Sequence, residues 1–254
     1  MTSPDNIPPC TIVSQNARGT KSGNRLDHCI ASMSARGADV VLLQEHGLHV
    51  EDKSRLTRIC RRYGYLAFAA FIPRTKTHGG TAVLIKWQTF GLRPAQELRK
   101  TQGLDGGVIC VHMPVKEGQP PTSFASIYVP VRATTRKRFL SGLRHMKVIT
   151  RNTIVGADRN TVSDVSLDVR YPVGSRTAYQ NQHASMWDRL MAGLGLRDVC
   201  LGRSKEVLSV NILASAQPYT LALTACSVLA KHRHTNGTPS TRSMHLTPLG
   251  PRTT

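Results

Sequence analysis

The stretch NTIVGADRNTVSD, residues 152–164, places an acidic residue directly after an apolar run. The run TIVGA has the length and the β-branched content of a buried strand, and Asp158 follows it at once. The chain has 34 Lys and Arg but only 15 Asp and Glu. Because a buried carboxylate is costly unless it is paired or hydrogen-bonded, we predict that Asp158 is kept at the end of a strand for chemistry.

Polar residues follow other predicted strands in the same way. The run TIVSQ is followed by Asn16, VVLLQ is followed by Glu45, and SIYVP contains Tyr128, while Asn160 stands two residues after Asp158. Ligands of α/β sheets bind beyond the strand ends, so we expect these side chains to converge on one pocket.

Two metals can be considered for such a pocket. Oxygen donors of this type suit a hard divalent cation, Mg²⁺ more than Zn²⁺. The segment EHGLH sets His46 and His49 beside Glu45, which leaves zinc as an alternative, although no matching third ligand is evident.

The composition favours a polyanionic partner. A formal net charge of +19 in 254 residues attracts phosphate-rich molecules, of which nucleic acid is the leading candidate. The six cysteines form no CxxC pair, and the first residues lack the apolar core of a signal peptide, so we expect reduced thiols and an intracellular protein. No apolar run approaches the roughly 20 residues that span a bilayer, so no membrane role is indicated.

The order of elements predicts an α/β fold. A strand in CTIVSQNARG, a helix in NRLDHCIASMSARGAD, a strand in DVVLLQEH and a basic helix in EDKSRLTRICRRYG come first. Four strands without intervening helices follow, in YLAFAAFIPR, GGTAVLIKW, GVICVHMPV and TSFASIYVP, and these are expected to pair antiparallel. A helix in ATTRKRFLSGLRHMKVI, the strand TIVGAD and a helix in HASMWDRLMAGLG complete the pattern. Sheets packed together under outer helices are therefore expected.

Three divisions of the chain follow from these patterns. Residues 1–9 form a Pro-rich leader, 10–205 form one domain, and 206–254 form a divergent, partly irregular segment. Within that segment PYTLALTACSVLA is compatible with either a strand or a buried helix.

Five motifs carry a resemblance to a known family. QNARG, LLQEH, GGTAVLI, SIYVP and GADRN, in this order, resemble the endonuclease/exonuclease/phosphatase superfamily of metal-dependent phosphodiesterases. The resemblance implies a four-layered α/β sandwich, with two packed mixed β-sheets flanked by helices. GADRNTVSDVSLD and the basic loops are most similar to the endonuclease domain of non-LTR retrotransposons, which is related to apurinic endonucleases. The similarity extends over about residues 10 to 200.

The resemblance also implies roles for individual residues. Asn16 and Glu45 would lie at a Mg²⁺ ion, with Mn²⁺ as an alternative, and Glu45 would be the principal carboxylate ligand. Tyr128 would contact the scissile phosphate, Asp158 would orient or deprotonate the attacking water, and Asn160 would bind the phosphate or the metal.

Basic residues near these motifs are candidates for nucleic-acid contacts. Arg18 and Arg159 flank the proposed site, although the family usually has an apolar or aromatic residue at the position of Arg159. Arg132, Arg136 and Lys137 follow the SIYVP strand. For the clusters at 58–62 and 136–138, a solvated helix face and a phosphate-binding face are both open alternatives.

The C-terminal part departs from the family pattern. The family carries an Asp in a late strand and then a Ser-Asp-His motif, whereas here Ser243 and Met244 follow Arg242, and no acidic residue occurs after Glu206. The resemblance therefore implies a sandwich that is incomplete at the C-terminus and an activity that is weak or lost.

These observations lead to one functional expectation and two alternatives. We expect a Mg²⁺-dependent DNA endonuclease of retrotransposon type, nuclear in location, with RNA as a second nucleic-acid partner. A basic protein that binds nucleic acid without cutting it, and a phosphatase of the same fold, are the alternatives.

Overall fold

The computed structural model describes residues 10–21, 24–114, 122–150, 152–160, 184–198, 210–212 and 221–224. The leader 1–9 and the departures from the family pattern at 242–244 lie outside these ranges.

Among the residues that the structure describes, the first sheet has five strands. They are β1 (Cys10–Asn16), β2 (Val40–Gln44), β3 (Tyr65–Ala70), β4 (Thr81–Lys86) and β10 (Val210–Ile212). The spatial order is β10-β1-β2-β4-β3. β1 and β2 run parallel, and the other neighbours are antiparallel. The sheet is therefore mixed.

The second sheet, within the same described ranges, has six strands. They are β5 (Lys100–Gly103), β6 (Val108–His112), β7 (Ser123–Tyr128), β8 (Thr153–Asp158), β9 (Arg197–Asp198) and β11 (Leu221–Thr224). The order is β5-β6-β7-β8-β11-β9, with β5-β6-β7 antiparallel and the remaining pairs parallel. The ambiguous run PYTLALTACSVLA thus contributes a strand, which pairs with β8.

Helices cover the outer side of each sheet. They are α1 (Arg25–Ala35), α2 (Lys53–Arg62), α3 (Ala133–Met146) and α4 (Ala184–Gly193), and a 3₁₀ turn at Val50–Asp52 precedes α2. α1 and α2 bury Leu26, Ile30 and Leu56 against the first sheet. α3 and α4 bury Phe139 and Trp187 against the second.

A third apolar cluster lies between the two sheets. It combines residues of the first sheet, such as Leu42 and Val83, with residues of the second, such as Ile109 and Phe124. At Gly156 the sheets approach so closely that an added Cβ would lie 2.7 Å from Leu42 Cβ and 2.7 Å from Ser14 Oγ. Helices, sheet, sheet and helices form four layers, so the predicted α/β sandwich is confirmed.

Within the described ranges, none of the helices combines the length and the apolar character that crossing a lipid bilayer requires.

Candidate active site

The strand ends of both sheets meet at one place in the sandwich. In the first sheet, Asn16 is in register with Gln44, the residue before Glu45. In the second sheet, Tyr128 is in register with Asp158. Both pairs belong to parallel strands, so the carboxyl ends of neighbouring strands present these side chains together.

A hydrogen bond joins the two sheets at this point. Asn16 Nδ2 donates to Asp158 Oδ2 at 2.5 Å, although the two residues are 142 positions apart in the chain. Asn16 Oδ1 accepts from the backbone N–H of Arg18 at 2.7 Å, which fixes the orientation of the amide. The sequence analysis expected these two side chains in one pocket, and in the structure they are in direct contact.

Asp158 is buried but well supplied with donors. It is 1% exposed, and besides Asn16 it accepts from the backbone N–H of Asn160, at 3.1 Å to Oδ1. Hydrogen bonds to a carboxylate compensate the loss of hydration and favour its ionised form. A buried, oriented carboxylate is thus present at the end of β8.

Strained backbone gathers around these residues. Arg18, Glu45 and Asn160 have φ angles of 51°, 55° and 47°, the left-handed region that non-glycine residues seldom adopt. Such residues persist only where the surroundings fix them, and they are common at functional sites. At Asn160 the side chain helps, because its Nδ2 donates to Val129 O at 2.7 Å.

Tyr128 ends β7 opposite Asp158 and is influenced by both carboxylates of the site. Burial raises the pKa of its phenol, and the negative charges of Glu45 and Asp158 raise this pKa further. The negative charges of Glu45 and Asp158 therefore act on the same hydroxyl group. The ring packs on Gly79, where an added Cβ would lie 3.5 Å from Tyr128 Cδ1. The phenol therefore remains protonated and can donate a hydrogen bond to an anionic oxygen.

Glu45 is the more accessible of the two acids. Its side chain is 22% exposed, and Oε1 lies 3.7 Å from His78 Nδ1 on the β3–β4 loop, a ring that is 79% exposed. The sequence analysis did not consider His78. Its only signal was the neighbouring pair Gly79 and Gly80, since paired glycines allow a close approach of the chain.

Polar side chains beneath the site also tie the sheets together. Gln44 Nε2 donates to Ser126 Oγ at 3.1 Å and to Leu42 O at 2.8 Å. Ser126 Oγ in turn donates to Leu43 O at 2.8 Å. Sequence reasoning missed this pair, although each is a polar residue in an otherwise apolar strand, and that was the available signal. The bridge fixes the end of β2 relative to β7 and thereby Glu45 relative to Tyr128.

Arg136 occupies a position that differs from its prediction as a nucleic-acid contact. Its side chain is buried at the first turns of α3, and its guanidinium donates to Pro130 O at 3.0 Å, Val131 O at 2.6 Å and Asn160 O at 3.1 Å. A buried guanidinium that donates to carbonyl oxygens is not presented to a phosphate backbone. The structure instead gives Arg136 the role of joining the segment after Tyr128 to Asn160.

The other predicted basic contacts divide into two groups. Arg18, Arg132 and Lys137 are exposed, as a contact with nucleic acid requires. Arg159 is buried, with Nη1 3.9 Å from Asp188 Oδ1 on α4, so its charge faces a carboxylate of the protein. The contact of Arg159 with nucleic acid stays a prediction, and in the structure its guanidinium is turned towards α4.

The zinc alternative finds no support in the surroundings of His46. The ring is fully buried, its Nδ1 accepts from the N–H of Leu48 at 2.9 Å, and burial lowers its pKa to about 4. An added Cβ at Gly80 would lie 2.5 Å from His46 Cε1, so the ring is packed tightly against the chain. Across the described ranges no group of three or more His, Cys, Asp or Glu side chains is arranged to hold a metal by itself.

The donors present do fit a magnesium ion. Mg²⁺ is usually held by one or two carboxylates together with water and substrate phosphate oxygens, so it does not need a cluster of three protein ligands. Glu45 supplies an accessible carboxylate, and Asn16 supplies an amide oxygen nearby. This set is of the hard, oxygen-bearing type that Mg²⁺ and Mn²⁺ prefer.

Comparison with solved structures shows what this fold is similar to. An AP endonuclease from Leishmania major superposes with a TM-score of 0.56 at 18% identity, covering 72% of this chain and 66% of that one. A 3′-5′ exonuclease from Neisseria meningitidis superposes with a TM-score of 0.54 at 14% identity, covering 74% of this chain and 72% of that one. The chain has the fold of these nucleases, and the resemblance predicted from the five motifs is confirmed at the level of the fold.

A retrotransposon protein is among the similar structures. The endonuclease domain of TRAS1, a telomere-specific non-LTR retrotransposon, superposes with a TM-score of 0.50 at 13% identity, over 78% of this chain and 76% of that one. By sequence, no protein-family model and no curated protein matches the chain. At identities this low the similarity is one of fold.

Proposed function

We propose that the protein is a divalent-metal-dependent phosphodiester hydrolase that cuts DNA, of the retrotransposon-endonuclease type. The observation that carries this proposal is the hydrogen bond between Asn16 and Asp158, which holds a buried carboxylate beside Tyr128 and Glu45 where the two sheets meet. The fold supports it, because the similar structures include AP endonucleases and a retrotransposon endonuclease domain. The net charge of +19 supports a polyanionic substrate.

The site residues divide the work of hydrolysis. Glu45 and Asn16 would hold Mg²⁺, or Mn²⁺ in its place. Such an ion, when bound, orients the phosphate and offsets negative charge as it develops on the leaving oxygen. Asp158 orients the attacking water and accepts its proton, a role that suits an ionised carboxylate fixed by two donors.

Tyr128 and Asn160 act on the phosphate itself. The Tyr128 hydroxyl stays protonated and donates to a non-bridging oxygen of the scissile phosphate. Asn160 Nδ2 donates to Val129 O, and the Asn160 side chain also hydrogen-bonds to the Tyr128 hydroxyl, so it orients the group that contacts the phosphate. Donors fixed before the substrate arrives stabilise charge without reorganisation during the reaction.

The decisive experiment is nicking of supercoiled plasmid DNA. We expect relaxation of the plasmid in Mg²⁺, inhibition by EDTA, and a loss of at least about 10²-fold in Glu45→Gln and in Asp158→Asn. Glu97→Gln is the matched control, because Glu97 is an exposed acid away from these strand ends. Nicking that survives unchanged in Glu45→Gln would refute the site assignment.

Two further assays separate the alternatives. A phosphate monoester and an RNA duplex, offered in place of plasmid, distinguish a phosphatase and a ribonuclease from a DNA endonuclease. Tight DNA binding with no product in Mg²⁺ or Mn²⁺ would favour a binding protein. Because a retrotransposon endonuclease acts on chromosomal DNA, we expect the full-length protein in the nucleus, which imaging of a tagged copy tests.

A further inference from the structure

The outer side of α2 is a second candidate for contact with a polyanion. The helix buries Leu56, Ile59 and Cys60 against the first sheet and turns its polar residues outward. The outward residues line a shallow groove, and we call them the α2 basic face: Lys53, Ser54, Thr57, Arg58, Arg61 and Arg62.

The positive charge of this face is largely uncompensated. Neighbouring carboxylates are engaged elsewhere: Glu51 pairs with Arg74, and Asp52 accepts from the N–H of His49. Arg62 pairs with Asp27 at 2.7 Å. Among the residues that the structure describes, no carboxylate pairs with the remaining three cations, which are Lys53, Arg58 and Arg61.

Such an arrangement costs free energy in the isolated helix. Arg58 and Arg61 are three positions apart, and Arg58 and Arg62 are four apart, so like charges face each other along the helix surface. Each such like-charge pair destabilises the helix slightly. An anion bound between these cations would replace their mutual repulsion with attraction.

The chemistry of the face matches a phosphodiester backbone. Three of its four cations are arginines, whose planar guanidinium suits bidentate contact with phosphate. Ser54 and Thr57 add hydroxyl donors between the cations. Lys53 and Arg61 lie eight residues apart, about 12 Å along the helix axis. One strand of a duplex presents a phosphate about every 3.4 Å along its axis, so several phosphates fall within this span.

A lipid surface fits the face less well. Helices that lie on membranes insert their apolar side chains into the bilayer. The apolar residues of α2 are already buried in the protein, so the face offers charge without insertion.

We propose that the α2 basic face binds the backbone of a nucleic acid, as a contact additional to the proposed active site. The contact does not depend on cleavage or on a bound metal. The segment 45–52 joins Glu45 to the first residue of α2. A nucleic acid longer than the scissile step would therefore gain affinity from α2 without any change in the chemistry.

The test compares two charge-matched triple variants. Lys53→Gln/Arg58→Gln/Arg61→Gln removes three charges from the α2 basic face. Arg93→Gln/Arg99→Gln/Lys100→Gln removes three from other exposed positions, at and before β5. Binding of a labelled DNA duplex is measured by fluorescence anisotropy in EDTA, between about 50 and 200 mM salt. Circular dichroism and thermal melts verify that both variants are folded.

The proposal predicts a difference between the two variants. Each lost phosphate contact should reduce the slope of log K against log salt by about 0.9, so the α2 variant should lose about 2 to 3 in slope. The other triple should lose less than about 1. The same ranking with an RNA duplex would extend the contact to both nucleic acids, and a ranking confined to DNA would restrict it to DNA.

Three results would overturn the proposal. The first is an equal loss of salt slope in the two triple variants, which would indicate a general charge effect. The second is an unchanged salt slope in the α2 variant. The third is that the α2 variant loses binding to phosphatidylserine vesicles but keeps its binding to nucleic acid. The plasmid assay is read separately. An inactive protein with an α2-dependent salt slope would contradict the proposed function and leave this inference intact.

Discussion

Helices α2 and α3 carry similar groups of cations, Arg58, Arg61 and Arg62 on one and a run at 136–138 on the other. On α2 these side chains point away from the sheet and line a solvent groove. On α3 the guanidinium of Arg136 is buried and donates to three backbone carbonyl oxygens. Charge density along the sequence is similar, yet one helix presents its cations outward and the other uses one of them to hold the chain.

The difference follows from what each helix covers. α3 begins five residues after Tyr128, so its first turns lie beside the segment that leaves β7 and beside Asn160. Carbonyl oxygens there have no strand partner, and a guanidinium with five donors can satisfy several of them. α2 packs on the first sheet through Leu56 and Ile59, while Arg58 and Arg61 on its outer side are exposed.

The largest expected effect is the loss of stability in Arg136→Met. This change removes three part-buried hydrogen bonds from a guanidinium to carbonyl oxygens, which should lower the free energy of unfolding by about 2–4 kcal/mol. Arg58→Met, on the exposed side of α2, should change it by less than about 0.5 kcal/mol. Urea denaturation measures both, and equal effects would remove the distinction between the helices.

On their inner sides the two helices are predicted to behave alike. Cys60 belongs to α2, and Cys110 lies beneath α3 with its thiol donating to Val148 O at 3.4 Å. Burial raises the pKa of both thiols, that of Cys110 from 9.0 to about 12. Each thiol therefore stays protonated in the folded protein at pH values where the unfolded chain has already released the proton.

This protonation difference predicts alkaline destabilisation. The contribution of the protonated Cys110 thiol to the free energy of unfolding is intact below pH 9.0, and it is lost as the pH rises towards about 12. Each such thiol should lower the free energy of unfolding by about 1.4 kcal/mol per pH unit within that window. Urea midpoints above pH 9 should fall less steeply in Cys110→Ala than in the wild type, and parallel curves would contradict the prediction.

Arg136→Lys tests whether the buried arginine of α3 affects the rate of DNA nicking. Lysine keeps the charge but cannot span three acceptors, so Asn160 should lose part of its fixed orientation. We expect nicking to slow about fivefold, close to 1 kcal/mol, with DNA affinity unchanged. Arg144→Lys, at an exposed position near the end of the same helix, should leave the nicking rate unaltered. A fall in affinity rather than in rate would return Arg136 to the role of a nucleic-acid contact.

The smallest expected effect is a change in stability at Arg62, the cation of the α2 basic face that pairs with Asp27. Arg62 contributes through its exposed bridge to Asp27, so Arg62→Gln should cost less than about 1 kcal/mol and the cost should shrink at high salt. Arg61→Gln should be neutral or slightly stabilising, because it relieves repulsion from Arg58. Thermal melts of the two variants at two salt concentrations test both expectations. A larger loss of stability in Arg61→Gln than in Arg62→Gln would show that Arg61 has a partner.

Much of the fold could be predicted from the chain because its elements have strong local signals. Apolar runs such as VVLLQ and TIVGA form buried strands, and the helical spacing of Leu26, Ile30 and Met33 marks the inner face of α1. β5 was not predicted, since KTQG is polar and lies at the edge of its sheet. The antiparallel pairing of the middle strands is confirmed within each sheet, but the change of sheet between β4 and β5 carries no local signal.

For the site, the sequence by itself determined which residues stand at the strand ends. An apolar run followed by Asn16, Glu45 or Asp158 is a local pattern, and the alternation of strands and helices brings such ends to one edge of a sheet. The placement of Tyr128 at the end of β7 has the same origin.

Only the tertiary structure decided how those ends meet. Three sets of contacts join residues that are distant in the chain or face a neighbouring layer. They are the hydrogen bond between Asn16 and Asp158, the hydrogen bond between Gln44 and Ser126, and the hydrogen bonds of the inward-turned Arg136. Such contacts depend on how two sheets pack at close range, as at Gly156, and side-chain periodicity within one strand contains no information about the opposite sheet. For the same physical reason, the direction in which an arginine of a basic helix points is fixed by the carbonyl oxygens it meets and not by its charge.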